Sequence, residues 1–140
     1  MRIYLSMNEP DDKSYVWVSD IATFEAQLLD GEATSIVLNG FLSTFAHAEL
    51  TPLLEKVAKK MRLNCELVIV ENDMEFLAQK ITRGELNISE VNEVMFRNPF
   101  IKSVCTLENI ESSLPKNISL SHKHFDNALS EITIKCRRSA

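Results

Sequence analysis

Residues 35–39 read SIVLN and residues 66–70 read ELVIV, and between them Leu50, Leu53, Leu54, Val57, Ala58 and Met61 recur at three- and four-residue spacing. Two short runs that are apolar on both faces describe strands buried in the middle of a sheet. The stripe between them describes an amphipathic helix over residues 48–62. Pro52 falls in the first turn, where its missing N–H costs nothing, and Asn64 supplies the exit. Strand, helix and strand joined this way form a parallel crossover unit, and that unit sets the fold class.

The same reading extends in both directions. Residues 2–7 (RIYLSM) are short and β-prone and form a first strand; residues 8–14 (NEPDDKS) are a turn-rich loop. Residues 15–18 (YVWV) are aromatic and β-branched throughout, which predicts a central strand. Ile21, Phe24, Leu28 and Leu29 then mark a short helix that Asp20 can cap, with Gly31 at its exit. Asn72 or Asp73 can cap a helix over residues 74–83 that ends at Gly84. A second helical pattern covers residues 86–96, with Val91, Val94, Met95 and Phe96 as core candidates. The dipeptide Asn98–Pro99 breaks it.

Residues 106–114 form a last helix with a Thr106 and Asn109 capping pattern. Residues 118–122 and 132–136 are two strands, and residues 123–130 can turn between them to make an antiparallel hairpin. The expected architecture is an α/β three-layer sandwich, with about four parallel strands followed by a C-terminal antiparallel pair. The whole of residues 1–140 reads as a single domain, because no linker, repeat or low-complexity segment divides it.

Composition narrows the functional classes. The chain carries 20 acidic and 15 basic residues, for a formal charge of -5. This gives no strong nucleic-acid signal and no general attraction to anionic membrane. No apolar run approaches a membrane-spanning length, and the N-terminus lacks the apolar core of a signal peptide. Cys65, Cys105 and Cys136 are odd in number and widely spaced, which predicts reduced, buried thiols in a cytoplasmic setting. His122 and His124 share a strand face but lack a third ligand, so no metal site is expected. The basic end of the helix at Lys56, Lys59, Lys60 and Arg62 complements the helix dipole. There is no P-loop, GxSxG or CxxC.

An α/β sheet binds ligands beyond the C-terminal ends of its strands. That rule selects four polar segments: Ser6 to Asn8, Ser19–Asp20, Asn39–Gly40 and Glu71 to Asp73. Asp20 and Asp73 are each explained by helix capping alone, and a ligand role for either stays open beside it. Asn8 tolerates the left-handed conformation and can stand in for a loop glycine, though a ligand cannot approach it as closely.

Taken together, these segments resemble those of class I S-adenosylmethionine-dependent methyltransferases, in particular small bacterial or viral forms. Where such proteins carry a segment like LNLGCG, residues 3–8 read IYLSMN. Where an aspartate follows YVNVD, residues 15–20 read YVWVSD. A piece like ASHVLEHF corresponds to LNGFLSTF at residues 38–45, and a strand ending in PD corresponds to ELVIV followed by END.

The resemblance implies a Rossmann-like methyltransferase-type sheet and S-adenosyl-L-methionine as cofactor. It implies that Asp20 holds the ribose hydroxyls, that Ser6 and Asn8 surround the methionine part and that Asn39 lies near the methyl group. It assigns no general base and leaves the catalytic residues unknown. The departures fall at these same loops. Ser6, Met7 and Asn8 replace the glycine-rich loop, and Gly40, Ser43 and Thr44 replace the histidines and glutamate of the third piece.

Two readings follow. One is a divergent S-adenosylmethionine-dependent methyltransferase-like protein. The other is a catalytically inactive domain of the same fold that binds a protein partner, forms a homo-oligomer or serves a structural role. A domain that binds this or another nucleotide for different chemistry, and an unrelated α/β binding module, are the further alternatives. Met7 discriminates. A side chain filling the space beyond the first strand opposes the enzyme, and an open cleft faced by Asp20 favours a small-molecule ligand.

Overall fold

A computed structural model describes residues 1–126, 128 and 130–140. Its sheet has six strands: β1 (Arg2–Leu5), β2 (Val16–Val18), β3 (Ala33–Asn39), β4 (Met61–Asn72), β5 (Ile118–Asp126) and β6 (Glu131–Arg138). They lie in the order β2-β1-β3-β4-β6-β5. The first four are parallel, and β6 runs antiparallel to both β4 and β5. The helices are α1 (Ile21–Gln27), α2 (Leu50–Lys60), α3 (Met74–Thr82), α4 (Ile88–Phe96) and α5 (Leu107–Ser113).

Period-two alternation divides the sheet into two unlike faces. One register row runs Val18, Leu5, Leu38, Ile69 and Ile134 from β2 to β6. All five are buried and pack with Phe24 of α1, Leu53, Leu54 and Val57 of α2 and Ile110 of α5 in one core. The neighbouring row runs Trp17, Tyr4, Val37, Val68, Lys135 and His122 on the opposite face.

There the covering layer is short. It consists of α4 and the segment after it, which meet the sheet at its C-terminal end. Asn72 Nδ2 donates to Val94 O at 3.3 Å, and Arg97 pairs with Glu131 at 3.5 Å. The ten residues between β1 and β2 form no helix, so the part of this face nearest β2 stays open and Trp17 is 42% exposed.

Several expectations are corrected by the packing. The segment YVWV is an edge strand, because β1 lies between β2 and β3. Its aromatic content covers an open sheet face, and Trp17 Nε1 donates to Ser6 O at 3.0 Å. The helix α2 ends directly in β4, and Asn64 is a left-handed residue (φ 66°) inside that strand rather than a helix exit. The pairing of β3 with β4 is irregular at the same place.

The core candidates of α4 are not core. None of its residues is fully buried, and Phe96 is 66% exposed and Phe100 58%. The reason is position: α4 caps the end of the sheet instead of lying along it. The hairpin strands are longer than their apolar centres, so residues 123–126 are strand rather than turn. Of the expected turn over residues 123–130, Asn127 and Leu129 lie outside the described residues.

Candidate functional site

The C-terminal ends of β1, β3 and β4 surround a cavity of about 610 Å3, closed on one side by residues 97–101. Ser6, Asn8 and Asn39 are on its wall, so three of the four residues selected from sequence come together. Asp20 is not on that wall.

Each position has a local cause. Ser6 directly follows β1, is buried, and its Oγ accepts from Asn8 N–H at 3.2 Å, which folds the loop back on itself. Asn8 has no positive φ and is exposed, so it does not imitate a loop glycine. Asn39 ends β3 and donates from Nδ2 to Tyr4 Oη at 2.5 Å. Gly40 follows in the left-handed region (φ 60°), where its N–H reaches Val70 O at 2.8 Å and turns the chain out of the sheet. Met7 is half-buried, packs against the core and also lines the cavity. The cleft is therefore open, but Asp20 does not face it.

Asp20 stands at the end of β2 and caps α1. Thr23 donates to it twice, from N–H to Oδ1 at 2.7 Å and from Oγ1 to Oδ2 at 2.8 Å. The Thr23 backbone bond, then its hydroxyl, hold the carboxyl below its ordinary range. Asp73 caps α3 through Glu75 and Phe76, and its other oxygen accepts from Leu107 N–H at 3.4 Å.

Glu71 emerges as the chemically unusual group. The sequence marks it only as part of a polar strand end. It continues the alternation of Leu67 and Ile69, so its side chain points into the buried side where β4 outruns the core. It is 4% exposed and accepts from Ser43 N–H at 3.1 Å. Burial, the largest influence, pushes its carboxyl up to about 7 against the Ser43 hydrogen bonds, with the Glu131 charge adding to the rise. The signal available in sequence was a charged residue in phase with buried ones, Leu67, Ile69 and Glu71.

The three cysteines are free and buried, and burial pushes Cys65 up to about 11 and Cys105 and Cys136 up to about 12. They are poor nucleophiles. Among the described residues, no group of three or more His, Cys, Asp and Glu side chains is arranged to hold a metal. Among the described residues, no helix is long and apolar enough to cross a membrane.

No protein-family model and no curated protein matches the sequence. Solved structures do match in fold. A possible exported protein from Bordetella parapertussis aligns with a TM-score of 0.64 at 13% identity, over 90% of this chain and 45% of that one. A SAM-dependent methyltransferase from Methanosarcina mazei aligns at 0.58 and 14% identity, over 81% and 62%. The magnesium protoporphyrin IX methyltransferase of Synechocystis, solved with bound SAH, aligns at 0.57 and 12% identity, over 89% and 51%. The chain thus spans about half the length of these neighbours. It has a mixed α/β sheet of Rossmann-like methyltransferase topology with an additional C-terminal antiparallel hairpin.

Proposed function

We propose that this chain is a divergent methyltransferase-like protein that keeps the strand-end cavity as a small-molecule site without using it for S-adenosylmethionine-dependent methyl transfer. The observation that carries this reading is the separation of Asp20 from the cavity. In the resemblance, the acidic residue after the second strand holds the ribose while the first loop holds the methionine end. Here Ser6, Asn8 and Asn39 share one wall, whereas both Asp20 oxygens accept from Thr23 outside it. Met7 adds to the mismatch, because a side chain packed on the core stands where a glycine backbone would admit the ligand. S-adenosylmethionine does not fit these residues in the family's manner, and no reaction step is assigned to it.

The single tryptophan reports on this region, since Trp17 is bonded to Ser6 O. Titration with S-adenosylhomocysteine is expected to leave Trp17 fluorescence unchanged. A saturable change that Asp20→Ala abolishes would support the active methyltransferase instead.

A partner-binding role is favoured by the open sheet face. Arg2, Lys135, Arg137, His122 and His124 are exposed on it, around Trp17 and Tyr4, in a chain of formal charge -5. Glu66 and Glu131 lie in the same rows as Arg137 and Lys135, so the face carries both signs of charge and a second copy of it is a partner of matching chemistry. Sedimentation velocity is expected to show a species heavier than the 15.9 kDa chain, reduced to the monomer by Trp17→Lys. A monomer at all soluble concentrations would remove this role.

A further inference from the structure

Lys80 and Cys105 are buried, but among the described residues none from 81 to 104 is. This stretch carries α4 and the segment that closes the cavity, with Ile88, Phe96 and Phe100 exposed on it. A segment that buries so little apolar surface opens locally at far lower cost than the core. It is also self-contained. Asn87 and Glu90 bond each other's backbone N–H at the start of α4, so the helix needs no cap from the sheet. Gly84, left-handed at φ 73°, turns the chain out of α3 at one end. At the other end Met74 N–H donates to Cys105 O at 3.0 Å and ties the chain back to the body.

Between these ends the attachments are polar. Arg97 pairs with Glu131 at 3.5 Å, and Asn72 Nδ2 donates to Val94 O at 3.3 Å. The N–H groups of Lys102 and Ser103 donate to Ser43 O at 2.8 and 3.1 Å, and Ser103 Oγ donates to Phe45 O at 2.7 Å. Ser43 is a two-sided clasp: its carbonyl holds the segment, and its N–H donates to Glu71 at 3.1 Å. Glu71 lies beneath. It borders a void of about 20 Å3 together with Met95, Ile101, Ser103 and Val104.

We infer that residues 85–104 form a lid over the strand-end cavity, latched through Ser43 and released when Glu71 gives up its proton. The inference concerns regulation of that cavity and rests on its reading as a small-molecule site. A neutral carboxyl tolerates burial under the lid. A carboxylate there lacks water and, among the described residues, an ion pair, so opening the lid stabilises it. The neighbouring charges act in the same direction. Glu131 on β6 adds negative charge and is itself raised by Asp126 of β5, while Asp73 and Cys105 lie on the same side. Glu9 and Asp11 add acid to the cavity wall, where Arg97 is the one cation among the described residues and is taken up by Glu131. Burial keeps the Glu71 proton up to about 7 in the closed form, against an ordinary 4.5 with water present. The latch is therefore firmest below the ordinary value and is lost as pH rises through the raised one.

The test is amide hydrogen exchange of the full chain by NMR, corrected for intrinsic rates. Lys102 and Ser103 are expected to be at least about a hundredfold less protected than Leu38 and Ile69 of the central strands. Their protection should fall about tenfold from pH 6 to pH 8, levelling off above the pH at which the Glu71 carboxyl carbon titrates. Glu71→Gln should abolish that fall. Should the variant misfold, the coincidence of the levelling with the Glu71 titration in the native chain decides the matter. Lid amides as protected as Leu38 and Ile69, no fall with pH, or a fall that persists in Glu71→Gln would overturn the inference and leave the cavity standing as a ligand site. Asp20-dependent binding of S-adenosylhomocysteine would instead overturn the functional reading, whatever the lid amides do.

Discussion

At the residue scale, Glu71 couples stability to pH. Its carboxyl is raised to about 7 in the folded chain by burial, against an ordinary value of 4.5. The folded state therefore favours the protonated form. The stabilisation is complete below the unfolded value and is lost as pH rises through the folded one, up to roughly 3 kcal/mol. Urea unfolding should show the native chain weakening between about pH 5 and 8, and Glu71→Gln flattening that decline. Unchanged curves for the variant would contradict the buried, ionisable assignment. Asp73 acts differently: it caps α3 and also holds Leu107 N–H at the start of α5. Asp73→Ala is expected to cost about 1–2 kcal/mol in the same assay. Both capping aspartates were legible in sequence because capping is local. Glu71 was not, because its burial depends on β6, Ser43 and residues 97–101 arriving from elsewhere in the chain.

At the scale of elements, the sequence reads best where periodicity and burial agree. The stripe of α2 packs as its spacing predicts, while of the runs SIVLN and ELVIV only Ile36, Leu38, Leu67 and Ile69 join the continuous core, and Val68 and Val70 on the other face are half-buried. Phe24 anchors α1 in that core and is fully buried. Phe24→Ala should destabilise by about 3–5 kcal/mol on thermal or urea unfolding, the cost of an unfilled site. A loss below 1 kcal/mol, about the size of a surface effect, would place α1 outside the core. The pattern of α4 looked equally apolar but misled. Its residues shield the end of the sheet and the cavity mouth, leaving Phe96 and Phe100 exposed. Likewise YVWV is apolar enough for a central strand, yet β1 occupies that place. Strand order is a long-range property that composition does not encode.

At the scale of the whole molecule, the proposal is that the scaffold is kept while the site has diverged. The fold is that of methyltransferase structures at 12–14% identity, and its order of elements along the chain and its C-terminal hairpin could be read from the sequence, whereas the place of β2 in the sheet could not. The expected ligand residues divide: Ser6, Asn8 and Asn39 share the strand-end cavity, and Asp20 serves α1. Spacing placed all four at strand ends but could not show which ends face one another. The most direct test of this separation is calorimetric titration of the folded chain with S-adenosylmethionine, repeated on Asp20→Ala. No saturable heat at millimolar ligand is expected for either protein. Saturable binding to the native chain that is lost in Asp20→Ala would contradict it.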